Sequence, residues 1–204
     1  GEGWGGGLGK ISNSFAVNTQ VTGESRVGGL VGMAAGPLTL GSSDNLDVVI
    51  NSFVSGGTVT SIATSSASAI GGLVGYNRYS NISNSYVTNG TVVNGGFASD
   101  VGGLVGYNIG SSNTIWNGTS SVLAPYSGIV SNSYVNGGTV SGNSNVGGLV
   151  GNRWGGSGAI TSSYWDTQTS GQPTNCAGIG SIAGCTGLTT AQMQTITKEF
   201  NLSE

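Results

Sequence analysis

Val27-Gly28-Gly29-Leu30-Val31-Gly32 is a phrase that this chain repeats at Ile70 to Gly75, Val101 to Gly106 and Val146 to Gly151. A second phrase alternates with it: Asn13-Ser14-Phe15, Asn51-Ser52-Phe53, Asn84-Ser85-Tyr86 and Asn132-Ser133-Tyr134, with a worn copy at Ser162-Ser163-Tyr164. Ordered self-similarity of this kind marks a stacked-repeat architecture, in which one repeat cannot bury its own apolar face. It directs the search for function toward surfaces and ends.

The spacing between the phrases supplies the shape. A valine follows each aromatic by six residues, at Val21, Val59, Val92 and Val140. From that valine to the leucine of the glycine phrase the gap is nine, fourteen, twelve and nine residues in turn. A rigid spacing beside an elastic one suits a coil that tolerates loop insertions. In the third repeat the strand-like pieces run from Ile82 to Val87, Thr91 to Val93 and Val101 to Tyr107, with Gly, Asn and Ser at the breaks. The expected fold is therefore all-β, a β-solenoid of about four to five rungs with a short C-terminal helix. Phe15, Phe53, Tyr86, Tyr134 and Tyr164 should form one core column, and Leu30, Leu73, Leu104 and Leu149 another. Asn13, Asn51, Asn84 and Asn132 should make a polar ladder. Adjacent Leu and Val in the glycine phrase would face opposite sides of an extended strand, so which is buried stays open.

Composition sets further bounds. The 204 residues include 40 glycines, only 6% charged residues and no histidine, with 36% hydrophobic residues and a net charge of −3. Disorder normally accompanies low hydrophobicity or high net charge, so the chain should fold, and Val, Ile and Thr between glycines favour strands. Five singly spread basic residues leave no footprint for nucleic acid. No run approaches the roughly eighteen apolar residues that span a bilayer. The chain starts at Gly1, with Gly6-Gly7-Leu8-Gly9 as a worn glycine phrase, and reads as a segment of a longer protein.

Two segments stand out from the repeats. Cys176 and Cys185 flank a short glycine-rich loop and read as a disulfide; free thiols or half a metal site are the alternatives. Beyond them, Thr189 and Gln192 make a capping-box pattern, with Leu188 and Met193 placed as a hydrophobic staple. Met193, Ile196 and Phe200 would share one face of a helix that covers the last rung. The division expected is residues 1–175 as repeats and 176–204 as a terminating module.

Together these residues resemble the GLUG-motif repeats of large bacterial secreted and surface proteins, including filamentous-haemagglutinin-like adhesins. The likeness rests on Gly29-Leu30-Val31-Gly32 and its copies at Gly72 to Gly75, Gly103 to Gly106 and Gly148 to Gly151. Ser163 to Gly171 and Gly187 to Met193 look like the terminating module of such arrays. The resemblance implies an extracellular or cell-surface β-solenoid and carries over no catalytic residues. The long insertion between Ile109 and Gly128 departs from it.

For function, an enzyme is not expected. Glycosidase or lyase chemistry needs paired carboxylates, whereas Glu24, Asp100 and Asp166 are isolated in sequence. Without histidine, a Ser/His/Asp arrangement is impossible within the chain. Asp44, Asn45 and Asp47 could at most supply calcium ligands; a solvated loop is the preferred reading, and no metal or cofactor is expected. Trp116, Tyr126, Trp154 and Trp165, in or near variable loops, are candidate surface contacts for a glycan or protein, or they seal loops onto the coil. Tyr76 and Tyr107 read as column members. Thr58, Thr91 and Thr139 form one short threonine column. A stalk or adhesive scaffold is the leading reading. End-to-end self-association from an edge near Gly5 to Phe15, guarded only by Lys10, is the runner-up.

Overall fold

The computed structural model describes residues 9–36, 47–64, 68–110, 114–116, 121–123, 128–154, 158–179 and 182–201. It is mostly β, with parallel strands in curled sheets that give a β-helix-like arrangement. One sheet joins Ile11–Ser12, Asp47–Ile50, Asn81–Ser83, Ile129–Ser131 and Ala159–Thr161 in chain order. A second holds Phe15–Gly23, Phe53–Ser61, Tyr86–Thr88, Tyr134–Val135, Ser163–Asp166 and Cys185–Leu188, with Val92–Asn94 and Val140–Ser141 extending it beside Phe53–Ser61. The glycine phrases build two more. Val27–Gly28, Ala69–Gly71, Asp100–Gly102 and Val146–Gly147 form one; Val31–Ala35, Val74–Arg78, Val105–Ile109 and Val150–Trp154 form the other. Equivalent residues of successive repeats pair, as Phe53 does with Tyr86 and Val74 with Val105. Within the insertion after Ile109, Thr114–Trp116 and Ser121–Leu123 pair antiparallel.

The glycine phrase is a corner, not a straight strand. The backbone bends at Gly72-Leu73, so Leu73 and Val74 both face the interior and both are fully buried, as are Leu104 with Val105 and Leu149 with Val150. Burying each such side chain is worth about 1.5–3 kcal/mol. Leu30, in the first repeat, is only partly buried. The bend presses backbone on backbone: a Cβ on Gly72 would lie 2.1 Å from the carbonyl oxygen of Gly103 in the next repeat. Glycine is needed here because no side chain fits.

Two cores run along the stack. The larger gathers the Leu-Val corners with Val49, Ile82, Val130 and Ile160 and with Val54, Val87, Val135 and Trp165. The smaller packs Val59, Val93 and Val140 against Val27, Ile70 and Val101. This geometry corrects the expected aromatic core column. The aromatics of the second phrase do form a column, but on the outer face: Phe15, Phe53, Tyr86 and Tyr134 stack with ring centroids 5.3, 4.9 and 4.9 Å apart. Phe15 is 64% exposed, Phe53, Tyr86 and Tyr164 are half-buried, and Tyr134 alone is buried. The residue after each aromatic takes the core position, because neighbours on a strand face opposite ways. In the third repeat the buried valine of the smaller core is Val93. Val93 pairs with Val59 and Val140, since the turn through Asn89 and Gly90 holds one more residue than its counterpart at Gly56-Gly57. For the same reason Thr58 pairs with Val92, which breaks the expected threonine column at Thr91.

The polar ladder is made by serine and not by asparagine. Asn13, Asn51, Asn84 and Asn132 are exposed at a corner with φ of 50°, 48°, 48° and 47°, a left-handed conformation that asparagine tolerates well. The serine that follows points along the stack. Ser52 N–H donates to Ser85 Oγ at 3.2 Å, and Ser85 N–H to Ser133 Oγ at 3.3 Å. Ser85 Oγ in turn donates to its own Ser83 carbonyl at 2.8 Å. At the opposite corner, buried Asn77 and Asn108 donate to the carbonyls of Ser80 and Gly128, both at 2.8 Å, and Asn77 also donates to Asn108 Oδ1 at 2.7 Å. Arg153 serves the equivalent Gly158 carbonyl at 2.6 Å. Each corner carbonyl is thereby satisfied, as burial requires.

The ladder continues past residue 175. Leu149 N–H and Val150 N–H both donate to the Cys176 carbonyl at 3.0 Å, which puts Cys176 in the slot that leucine fills in earlier repeats. Cys176 is disulfide-bonded to Cys185, whose strand pairs with Ser163–Asp166. The bridge therefore crosses the interior at the C-terminal end of the larger core. The helix Thr190–Asn201 packs against these last two strands. Its capping box is formed: Thr189 N–H donates to Gln192 Oε1 at 2.9 Å and Gln192 N–H to Thr189 Oγ1 at 3.3 Å. Met193 is fully buried, Ile196 is half-buried, and the Phe200 side chain lies outside the described residues. Asp166, fully buried, accepts from Thr190 Oγ1 at 2.8 Å and from the amides of Gln168 and Thr169.

Gly72→Ala should lose roughly 1–3 kcal/mol by overpacking, whereas Gly90→Ala, with open space around its Cβ and a φ of +74°, should lose about 1 kcal/mol from backbone strain alone. Urea denaturation checks the order; equal losses would refute the close-approach account. Cys176→Ala/Cys185→Ala should lose about 2.7 kcal/mol by loop-closure entropy, read as a lower urea midpoint.

Candidate functional site

The corner made by each glycine phrase sets the position of the residue immediately C-terminal to it. Tyr76 and Tyr107 occupy that place in two successive repeats, on paired positions of neighbouring strands. Their rings stack outside the interior cores, with centroids 5.2 Å apart and planes tilted by 31°. Tyr79 and Ile109 pack with them in a cluster of their own, separate from the two interior cores. Two cations lie on this cluster: the Arg26 guanidinium is 5.2 Å from the Tyr76 ring centre and that of Arg78 is 5.0 Å from the Tyr79 ring centre. Such contacts hold a planar guanidinium at a fixed tilt against the ring. Arg26 also donates to the Met33 sulfur at 3.6 Å. At the Tyr107 side, Asp100 accepts from Asn145 and Asn152 amides at 2.8 and 2.9 Å.

Tyr79 is the outlier of the group. It comes directly after the strand Val74–Arg78 with φ +58°, whereas Gly36 and Gly110 stand after the equivalent strands. A bulky residue in this conformation costs roughly 1–3 kcal/mol and persists only where its surroundings hold it. Arg26 likewise has φ +50°. Burial raises the Tyr76 hydroxyl above its ordinary pKa; Arg78 and then Arg26 oppose the rise. Burial raises Tyr107 as well, with Tyr76 and Asp100 adding to it.

Residues 66–93 match the family model described as the GLUG motif. That segment carries a GLUG motif. No curated protein and no solved structure matches the chain. The GLUG segment holds Ile70 to Gly75, Tyr76, Arg78, Tyr79 and the Asn84-Ser85-Tyr86 phrase, so three of the five tyrosines and arginines of the cluster belong to the motif itself. The motif and the disulfide are both compatible with an extracellular protein.

The expected surface residues fare differently. Trp154 is 61% exposed at the end of the column Ala35, Arg78, Ile109 and Trp154. Trp165 is not a surface contact. It is buried, pairs with Val135 in the larger core, and donates Nε1–H to the Gln172 carbonyl at 2.8 Å. Aromatic size at the last repeat fills the space that valine fills above it. Trp116 ends a strand, but its side chain, like Tyr126 and Asp44, lies outside the described residues. Among the described residues no three His, Cys, Asp or Glu side chains gather as a metal site, and no helix is long and apolar enough to cross a membrane. Sequence pattern places Tyr76 and Tyr107 in one column but passes over Arg26, Arg78, Tyr79 and Asp100. A tyrosine standing where a neighbouring repeat has glycine is the signal that points to them.

The two tyrosines bear on alkaline stability. Their folded pKa values exceed the ordinary tyrosine value of 10.0, so above about pH 10 the unfolded chain loses these protons first and stability falls as pH rises; below that it is fully present. Alkaline titration followed by tyrosinate absorbance should show a late-ionising fraction that shrinks in Tyr76→Phe and in Tyr107→Phe. Titration of all seven tyrosines as one ordinary class would contradict this.

Proposed function

We propose that the chain is a non-enzymatic β-solenoid segment of an exported bacterial surface protein, acting as a stalk or adhesive scaffold. The observation that carries the reading is the parallel register of equivalent residues through successive repeats, from Val31 with Val74 to Val105 with Val150. The side chains that recur identically are those that make corners and core, and not a reactive constellation. The GLUG segment and the disulfide support an exported location.

A self-assembling fibre is the second reading. It is favoured by the strand Phe15–Gly23, which among the described residues pairs only with Phe53–Ser61 and presents Phe15 and Val17 at 64% and 47% exposure. The disulfide and helix at the other end weigh against it, since head-to-tail growth needs two open edges. Sedimentation velocity and negative-stain electron microscopy across a concentration series should find uniform particles. Fibres lengthening with concentration would replace the first reading with the second. Beads coated with the chain should be retained under flow on bacterial or host-cell layers, and retention no better than for uncoated beads would remove the adhesive role.

A further inference from the structure

We propose that the face bearing Arg26, Tyr76, Arg78 and Tyr107, backed by the buried Tyr79, binds an acidic polysaccharide, specifically a uronate-bearing one. The inference rests on the adhesive reading above and names the chemistry of its ligand. Three observations meet here. Charge is scarce in this chain, 6% of residues, yet two of its guanidiniums sit on one cluster of three tyrosines. Both guanidiniums act electrostatically on Tyr76 and each outweighs the opposing Asp100 carboxylate, so a single group near that hydroxyl would feel them together. And the exposed Arg26 of this face is held in a left-handed backbone conformation, strain of the kind kept at sites that must present a side chain.

The ligand class is set by these groups. Guanidinium forks match carboxylates two hydrogen bonds at a time. Tyrosine rings offer flat apolar faces with a polar edge, which suits the C–H face of a sugar ring. Equivalent residues of successive repeats stand about 4.8 Å apart, so the half-buried pair Tyr76 and Tyr107 extends the platform along the stack, in the direction an extended polymer would run. Asp100 lies at the Tyr107 side and is engaged by two amides. The carboxylate of the ligand is therefore placed at the Tyr76 side, between Arg26 and Arg78.

The test is affinity electrophoresis and calorimetry of the full chain against polygalacturonate, with dextran as the neutral polymer and phosphatidylserine vesicles as the anionic surface. Retention by polygalacturonate alone, weakening with salt, is expected. Arg26→Ala and Arg78→Ala should each weaken it by about tenfold or more, the usual worth of a hydrogen bond to a charged group, and Arg78→Lys should restore it only in part. Thermal melts establish that the variants fold. If one does not, protection of the arginines from a dicarbonyl reagent by polygalacturonate on the unaltered chain reads the same contact. No retention at low salt, equal retention by dextran, binding to the vesicles in place of the polymer, or undiminished binding by both arginine variants would each overturn the proposal. Coated beads that still adhere while polygalacturonate does not bind would sink this inference and leave the adhesive reading standing.

Discussion

One carbonyl oxygen accepting two amides organises this molecule. Leu73 and Val74 both donate to the Leu104 carbonyl at 3.0 Å, and Leu104 and Val105 donate to that of Leu149 at 2.9 and 3.1 Å. The pair of hydrogen bonds holds the chain bent where leucine and valine turn inward together. It also fixes the distance between repeats so tightly that the flanking positions admit no Cβ. The interior apolar columns, the outer aromatic column and the tyrosine face all inherit their register from this contact.

That dependence explains what the sequence disclosed. A glycine forced by backbone contact cannot drift, so the phrase stands out four times in 204 residues, and the stacked parallel strands could be read from it. Local chemistry was less legible. Asparagine and serine recur side by side, and only the three-dimensional corner decides that asparagine supplies the backbone conformation while serine supplies the hydrogen bond. Val92 and Val93 are adjacent and chemically alike, so a one-residue change in the preceding turn was invisible. An inward place for the Phe and Tyr of the second phrase is the natural expectation, because large aromatics are mostly buried; strand alternation puts the next residue there instead.

The candidate face was less legible still. Its tyrosines come from neighbouring repeats, and its arginines lie before or after different glycine phrases, at Arg26 and Arg78. Nothing in linear spacing joins them. What joins them is the stacking of repeats about thirty to forty residues apart in the chain onto strands roughly 4.8 Å apart in space. Tryptophan, by contrast, misled. Trp165 is a core filler at the last repeat, where the column of Val54, Val87 and Val135 meets the end of the stack.

The cysteine in the leucine slot separates how long such a chain is from how it stops. Cys176 presents its carbonyl to the preceding repeat as a leucine would, while its sulfur ties the interior to Cys185. Among the described residues, Cys176 and Gly178 bond to Leu149, Val150 and Gly151, and the strand Cys185–Leu188 pairs with Ser163–Asp166, all in the final repeat. Whole repeats inserted upstream, between Gly110 and Gly128 for instance, would leave each of those contacts in place. The number of repeats and the way the stack ends are thus specified by separate residues.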